Sequence, residues 1–63
     1  MQEMVEIGVA AKYLGVTPKT MRVWEDKEGY ITIGNVTIRV YRTKGGRRRY
    51  AVSDLERLRQ VRV

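Results

Sequence analysis

Residues 39 to 49 read RVYRTKGGRRR, six cations in eleven positions, and Tyr50 follows. No acid occurs between Gly29 and Ser53, whereas Glu25, Asp26 and Glu28 stand just before that span. A single-sign segment of this kind creates a local positive field, which belongs either to a solvated face or to a polyanionic partner. Glycines inside it let backbone N–H groups approach a phosphate closely. The chemistry suggested is capture of a phosphate backbone by Arg42, Lys44, Gly46, Arg47, Arg48, Arg49 and Tyr50.

Pairing across the turn sharpens the case. With Gly45-Gly46 as the loop, Tyr41 lies opposite Tyr50, Arg42 opposite Arg49, and Lys44 opposite Arg47. Moving the turn by one residue sets Arg42 against Arg47. Either register faces cation with cation, which destabilises a hairpin unless an anion lies over it. The expected anion is a nucleic-acid phosphate. Strand alternation puts Arg47 and Arg49 on one face and Arg48 on the other, so all three cannot enter one groove. At least one is expected to pair with an acid or hold the scaffold, and Arg47 and Arg49 are the stronger backbone candidates.

Other chemistries have little to work with. The chain has no histidine and no cysteine, so neither an ordinary zinc site nor a disulfide is expected. Ser53 is the only serine, and no histidine can serve as its base. The acids lack the spacing of a carboxylate pair or a metal site. Neither enzymatic activity nor a cofactor is expected. No basic leader and no long apolar run are present, so the expectation is a cytoplasmic, nucleoid-associated protein with no membrane contact. Its 63 residues and net charge of +6 describe one small basic domain spanning 1–63.

The positioning elements can be read from periodicity. Ile7, Ala10, Ala11 and Leu14 follow one helical face, and Gly15 is a C-cap candidate. Thr17 is a good N-cap ahead of Pro18, with Val16 and Met21 at the positions of a hydrophobic staple. The second helix turns Met21 and Trp24 inward, extends as far as Gly29, and presents Lys19, Arg22, Val23 and Asp26 on its opposite face. Two helices separated by about three residues match helix-turn-helix spacing. Arg22 could then read guanine and Val23 a thymine methyl, while Thr17, Lys19 and Thr20 sit at the helix start, where phosphate is favoured. The bland reading makes Thr17 a cap and pairs Arg22 with Asp26.

From Tyr30 the pattern alternates with period two. Gly34-Asn35 as a two-residue loop pairs Ile33 with Val36, Thr32 with Thr37 and Ile31 with Ile38, each matched in character. Tyr41 and Tyr50 are read as a cross-strand aromatic pair, or alternatively as a platform for unpaired bases. "SDLE" at Ser53 is a capping box leading into a helix with Leu55, Leu58 and Val61 on one stripe. The fold class expected is α+β: a winged helix-turn-helix of three short helices with a two- or three-stranded antiparallel β wing.

The residues IGVAAKYLGVTPKTMRVWE, EGYI and YRTKGGRRRYAVSDLERL, together spanning Ile7 to Leu58, resemble the DNA-binding domain of the MerR family. The wing is also similar to that of insertion-element serine recombinases, and excisionase-type factors are more distant. The resemblance implies a major-groove recognition helix carrying Thr17, Lys19, Thr20 and Arg22, with a wing that meets the backbone through Arg42 to Tyr50. Double-stranded DNA is the implied partner, with further copies of the chain on the same site strengthening a small module. The segment YITIGNVTIRVY is longer than the family's usual connection, which suggests a three-stranded wing. The long dimerisation helix and effector domain of that family's regulators have no counterpart in these residues, so no small-molecule effector is expected. A protein-interaction adaptor docking through the Leu55, Leu58, Val61 stripe and a single-strand or RNA binder are the competing functional classes.

Overall fold

A computed structural model describes residues 3–61; Met1, Gln2, Arg62 and Val63, the ends of the span assigned above to one domain, lie outside the described residues. The element order is β1 (Met4–Glu6), α1 (Ile7–Leu14), α2 (Pro18–Trp24), β2 (Tyr30–Ile33), β3 (Val36–Arg39), β4 (Tyr41–Arg42), β5 (Arg48–Ala51) and α3 (Val52–Val61). This is an α+β layout of three helices and antiparallel strands in two small sheets, consistent with a winged helix-turn-helix.

The turn between the first two helices forms as its residues dictate. Gly15 takes a left-handed φ of 76°, and the Gly15 and Val16 N–H groups close on the last carbonyls of α1. Thr17 then caps α2, its hydroxyl accepting from the Thr20 N–H at 3.2 Å, with Pro18 at the first helical position. The second helix is shorter than its pattern suggests. It stops at Trp24, because Glu25 adopts an extended conformation and bridges to Ile31. Asp26 therefore leaves the helix altogether. Its carboxylate accepts from the Glu28 and Tyr30 N–H groups, each at 3.0 Å, and builds the turn into β2.

The β2–β3 hairpin has the register expected from its sequence: Ile33 with Val36, Thr32 with Thr37, Ile31 with Ile38. Gly34 alone of the two loop residues has a positive φ, 62°, the pattern of a type II′ turn. Ile31 and Ile38 enter the core, while Thr32 and Thr37 join hydroxyls on the outer face at 2.9 Å. This hairpin forms a sheet by itself. The three-stranded sheet has the order β1-β5-β4, so its third strand comes from residues 4–6 and not from the long segment that had suggested it.

The wing register also differs from both expected alternatives. Tyr41 pairs with Arg49, and Arg42 with Arg48. The loop holds three residues, Lys44, Gly45 and Gly46. The Gly46 N–H bonds to the Thr43 carbonyl at 2.9 Å, and Gly46 has a φ of 85°. That geometry is a tight turn followed by a left-handed residue that forms a bulge. An odd loop slides the register by half the step a two-residue loop would need. Tyr41 consequently does not face Tyr50, and the expected aromatic pair is absent.

Ala10, Ala11, Leu14, Met21, Ile31, Ile38, Val40, Tyr50, Leu55 and Leu58 make the buried core, with Trp24 packed against it. Two expectations change as a result. Tyr50 is fully buried, so it is not placed to touch a ligand. Leu55 and Leu58 are buried on the inner face of α3 as part of the core, so they are not available as the docking edge that an adaptor would need. The third helix opens at Val52, two residues before the start implied by Ser53 as N-cap, so Ser53 lies inside the helix, and the Val52 N–H bonds to the Glu3 carbonyl at 2.9 Å.

The two wing glycines should respond in opposite ways. Gly45 lacks a positive φ, and an added Cβ would meet nothing within 4 Å. Gly45→Ala is expected to raise stability by about 0.4–1 kcal/mol by narrowing the unfolded ensemble. Gly46→Ala forces a left-handed alanine and should cost roughly 1–2 kcal/mol. Denaturant midpoints of the two variants check both the loop length and the bulge position.

Candidate nucleic-acid interface

Strand alternation decides where each wing arginine points. Tyr50 faces the core, so Arg48, two residues earlier, lies on the same face of β5. Arg42 is the cross-strand partner of Arg48 and shares that face. Two cations thus stand side by side against the end of α2, where Glu25 meets them. One Glu25 carboxylate oxygen accepts from Arg48 Nε at 2.7 Å and the other from Arg42 at 3.1 Å. The carboxylate is well covered, its side chain 7% exposed against 26% for Arg48 and 46% for Arg42. Arg42 also donates to the Gly46 carbonyl at 3.2 Å, which ties the clamp to the loop.

The clash of cations expected in the wing is therefore real, but its first counter-ion is internal. Glu25 is the functional residue that the sequence reading passed over. The signal was there: an acid directly after Trp24, at the threshold of the acid-free span, in a chain whose wing could not pair stably without an anion.

The remaining candidates divide by exposure. Lys44, Gly46 and Arg47 lie exposed at the wing tip, and the Arg47 N–H is held by the Thr43 hydroxyl at 3.2 Å. Arg49 is half-buried on the other face, donating to the Arg48 carbonyl at 3.0 Å. Glu6 stands opposite Arg49 in register, yet among the described residues no ion pair joins them. Arg47 and Arg49 thus keep the charge that Arg42 and Arg48 share with Glu25.

On α2, Lys19, Arg22 and Val23 are exposed, and Val23 is 73% so despite its apolar side chain. Arg22 joins no ion pair among the described residues, since the acid four residues on is engaged by backbone N–H groups. Thr17 and Thr20 join hydroxyls at 3.0 Å. Their capping role is satisfied within the helix, and Thr20 is half-buried. Tyr13, on the far side, carries Arg59 over its ring at 4.8 Å from the centroid.

The Tyr50 hydroxyl lies in the field of Arg48, Glu25, Arg42 and Arg22 but has no hydrogen-bond partner among the described residues. Burial raises its pKa above 10.0, with Glu25 pushing the same way against the nearby arginines. An unpaired buried hydroxyl costs about 1–3 kcal/mol.

Two variants test this arrangement. Glu25→Gln leaves Arg42 and Arg48 facing each other with no charge between them, and should lower stability by about 1–3 kcal/mol. Because the lost component is an anion, the deficit in thermal midpoint should shrink in phosphate buffer relative to chloride at equal ionic strength. Tyr50→Phe removes an unsatisfied group without a cavity, and should leave stability unchanged or raised. A raised folded-state pKa stabilises the fold below about pH 10, and that contribution is lost as pH climbs through the folded value. The phenylalanine variant should therefore resist alkaline unfolding better than the parent, as pH-dependent denaturation would reveal.

No curated protein and no solved structure matches the chain. The family model described as MerR HTH family regulatory protein matches residues 5–63, nearly the full length. It covers the capped α1–α2 turn, the Glu25-bound wing and α3 together, and no helix among the described residues is long and apolar enough to cross a membrane. The chain belongs to the MerR helix-turn-helix family of regulatory proteins, a DNA-binding and non-enzymatic family.

Proposed function

We propose that the chain is a sequence-specific duplex DNA-binding module, with α2 in the major groove and the basic wing on the flanking backbone. One observation carries this: the exposed face of α2 and the wing each present cations that join no ion pair among the described residues. Lys19 and Arg22 occupy the first surface with exposed Val23 beside them, Lys44 and Arg47 stand at the wing tip, and half-buried Arg49 lies on the reverse face of β5. Arg22 has the fork needed for two bonds to guanine, and exposed Val23 suits a thymine methyl. A 73% exposed valine has no packing rationale in the isolated chain. Lys44, Arg47, Arg49 and the Gly46 backbone serve as phosphate contacts, which fix orientation without reading sequence. Thr17 and Thr20 contribute chiefly by holding the helix start, and Arg42 and Arg48 by holding the wing on Glu25. The match to a family of regulatory proteins supports transcription as the process served. Adjacent copies on the DNA site would supply the affinity a small surface lacks.

With about six to eight phosphate contacts, log K should fall with log salt at a slope near −5 to −7. Arg22→Ala is expected to cost roughly 1–3 kcal/mol on the preferred site and to relax preference at one base position. Arg47→Ala should weaken all duplexes alike and reduce the slope by about one. Site selection from a random duplex pool, followed by titration at several salt concentrations, measures all three. A preference unchanged by Arg22→Ala removes α2 as the reading element.

A further inference from the structure

The β2–β3 hairpin forms a sheet of its own, and its outer face carries an arginine set against two tyrosines. Arg39 lies 5.7 Å from the ring centroids of both Tyr30 and Tyr41. It also donates to the Tyr30 hydroxyl at 3.4 Å. A guanidinium braced over aromatic faces loses rotamer freedom but keeps its in-plane N–H groups for an anion. Among the described residues no carboxylate pairs with it. Arg39 also lines an open cleft of about 430 Å³, together with Lys27, Glu28, Tyr41, Arg42 and Glu25. Within that cleft Glu25 and Arg42 are committed to each other, which leaves Lys27 and Arg39 as exposed cations and Glu28 as the opposing charge. Arg42 belongs both to this cleft and to the wing, so the two surfaces are continuous.

We propose that this cleft is a second backbone-binding surface, in which Arg39, with Lys27 beside it, receives a phosphate of the duplex flanking the one held by the wing. The inference rests on the DNA-binding function proposed above. Tyr30 and Tyr41 act as the brace that aims Arg39. Glu28 tunes the contact by repelling the same phosphate, so its sign is opposite to that of its neighbours.

The test compares wild type, Arg39→Gln, Lys27→Gln and Glu28→Gln on the duplex recovered by site selection and on an unrelated duplex, each between 50 and 200 mM salt. Thermal unfolding of every variant accompanies the titrations. Arg39→Gln should weaken both duplexes equally and lower the salt slope by about one, so that its deficit relative to wild type shrinks about three- to fourfold across that range. Lys27→Gln should act in the same direction. Glu28→Gln should bind both duplexes several-fold more tightly, a gain that damage to the fold does not produce. Unchanged slopes for Arg39→Gln and Lys27→Gln together with a neutral Glu28→Gln overturn the cleft assignment, while Arg22-dependent preference in the wild type leaves the proposed function standing. Failure of folded wild type to bind either duplex overturns both. If Arg39→Gln does not fold, Glu28→Gln decides alone: tighter binding supports the cleft, and no change rejects it.

Discussion

The carboxylate of Glu25 holds this molecule's separate parts in one arrangement. Its backbone bridges to Ile31 of β2, immediately after the last turn of α2. Its side chain binds Arg42 on β4 and Arg48 on β5. One residue therefore fixes the end of the second helix, the start of the hairpin and the orientation of the wing. Charged hydrogen bonds of this kind exceed neutral ones in strength, and partial burial limits screening by salt. A 63-residue chain with no disulfide gains much from such a tie, because its core is small.

The tie also sorts the wing's positive charge into two kinds. Arg42 and Arg48 are neutralised from within and serve geometry. Lys44 and Arg47 at the tip, and Arg49 on the reverse face, face no carboxylate within ion-pair distance among the described residues. A positive field persists where the chain leaves it unanswered, and this is why the proposed backbone contact is placed at the tip and not along the whole strand. The same division applies to α2, where the first-turn threonines satisfy the helix and Lys19, Arg22 and Val23 project away from it.

The β2–β3 hairpin adds something the wing does not have. Its inner face closes the core through Ile31 and Ile38, with Ile33 and Val36 packed against that core, while its outer face carries Tyr30, Thr32, Thr37 and Arg39. A structural insert could have ended in neutral residues on that outer face. The brace of Arg39 by two tyrosines, next to a cleft shared with the wing, motivates the extended backbone contact proposed for it.

Local chemistry was readable from the chain alone. The left-handed cap at Gly15, the Thr17 N-cap, the inward face of Ala10, Ala11 and Leu14 and the Gly34-Asn35 hairpin all depend on residues close in sequence. The family resemblance was legible for the same reason, since its motifs are runs of adjacent residues. Tertiary structure decided whatever needed distant groups to meet. The bulge at Gly46 depends on a φ that sequence does not announce, and it moved the wing register by one step, from Tyr41 facing Tyr50 to Tyr41 facing Arg49. That register turned Arg42 and Arg48 toward Glu25, which lies 17 and 23 residues away along the chain. Packing of β5 against α1 and α3 then placed Tyr50 in the core. The charge pattern demanded an anion for the wing, and only the folded chain could show that the first one is its own.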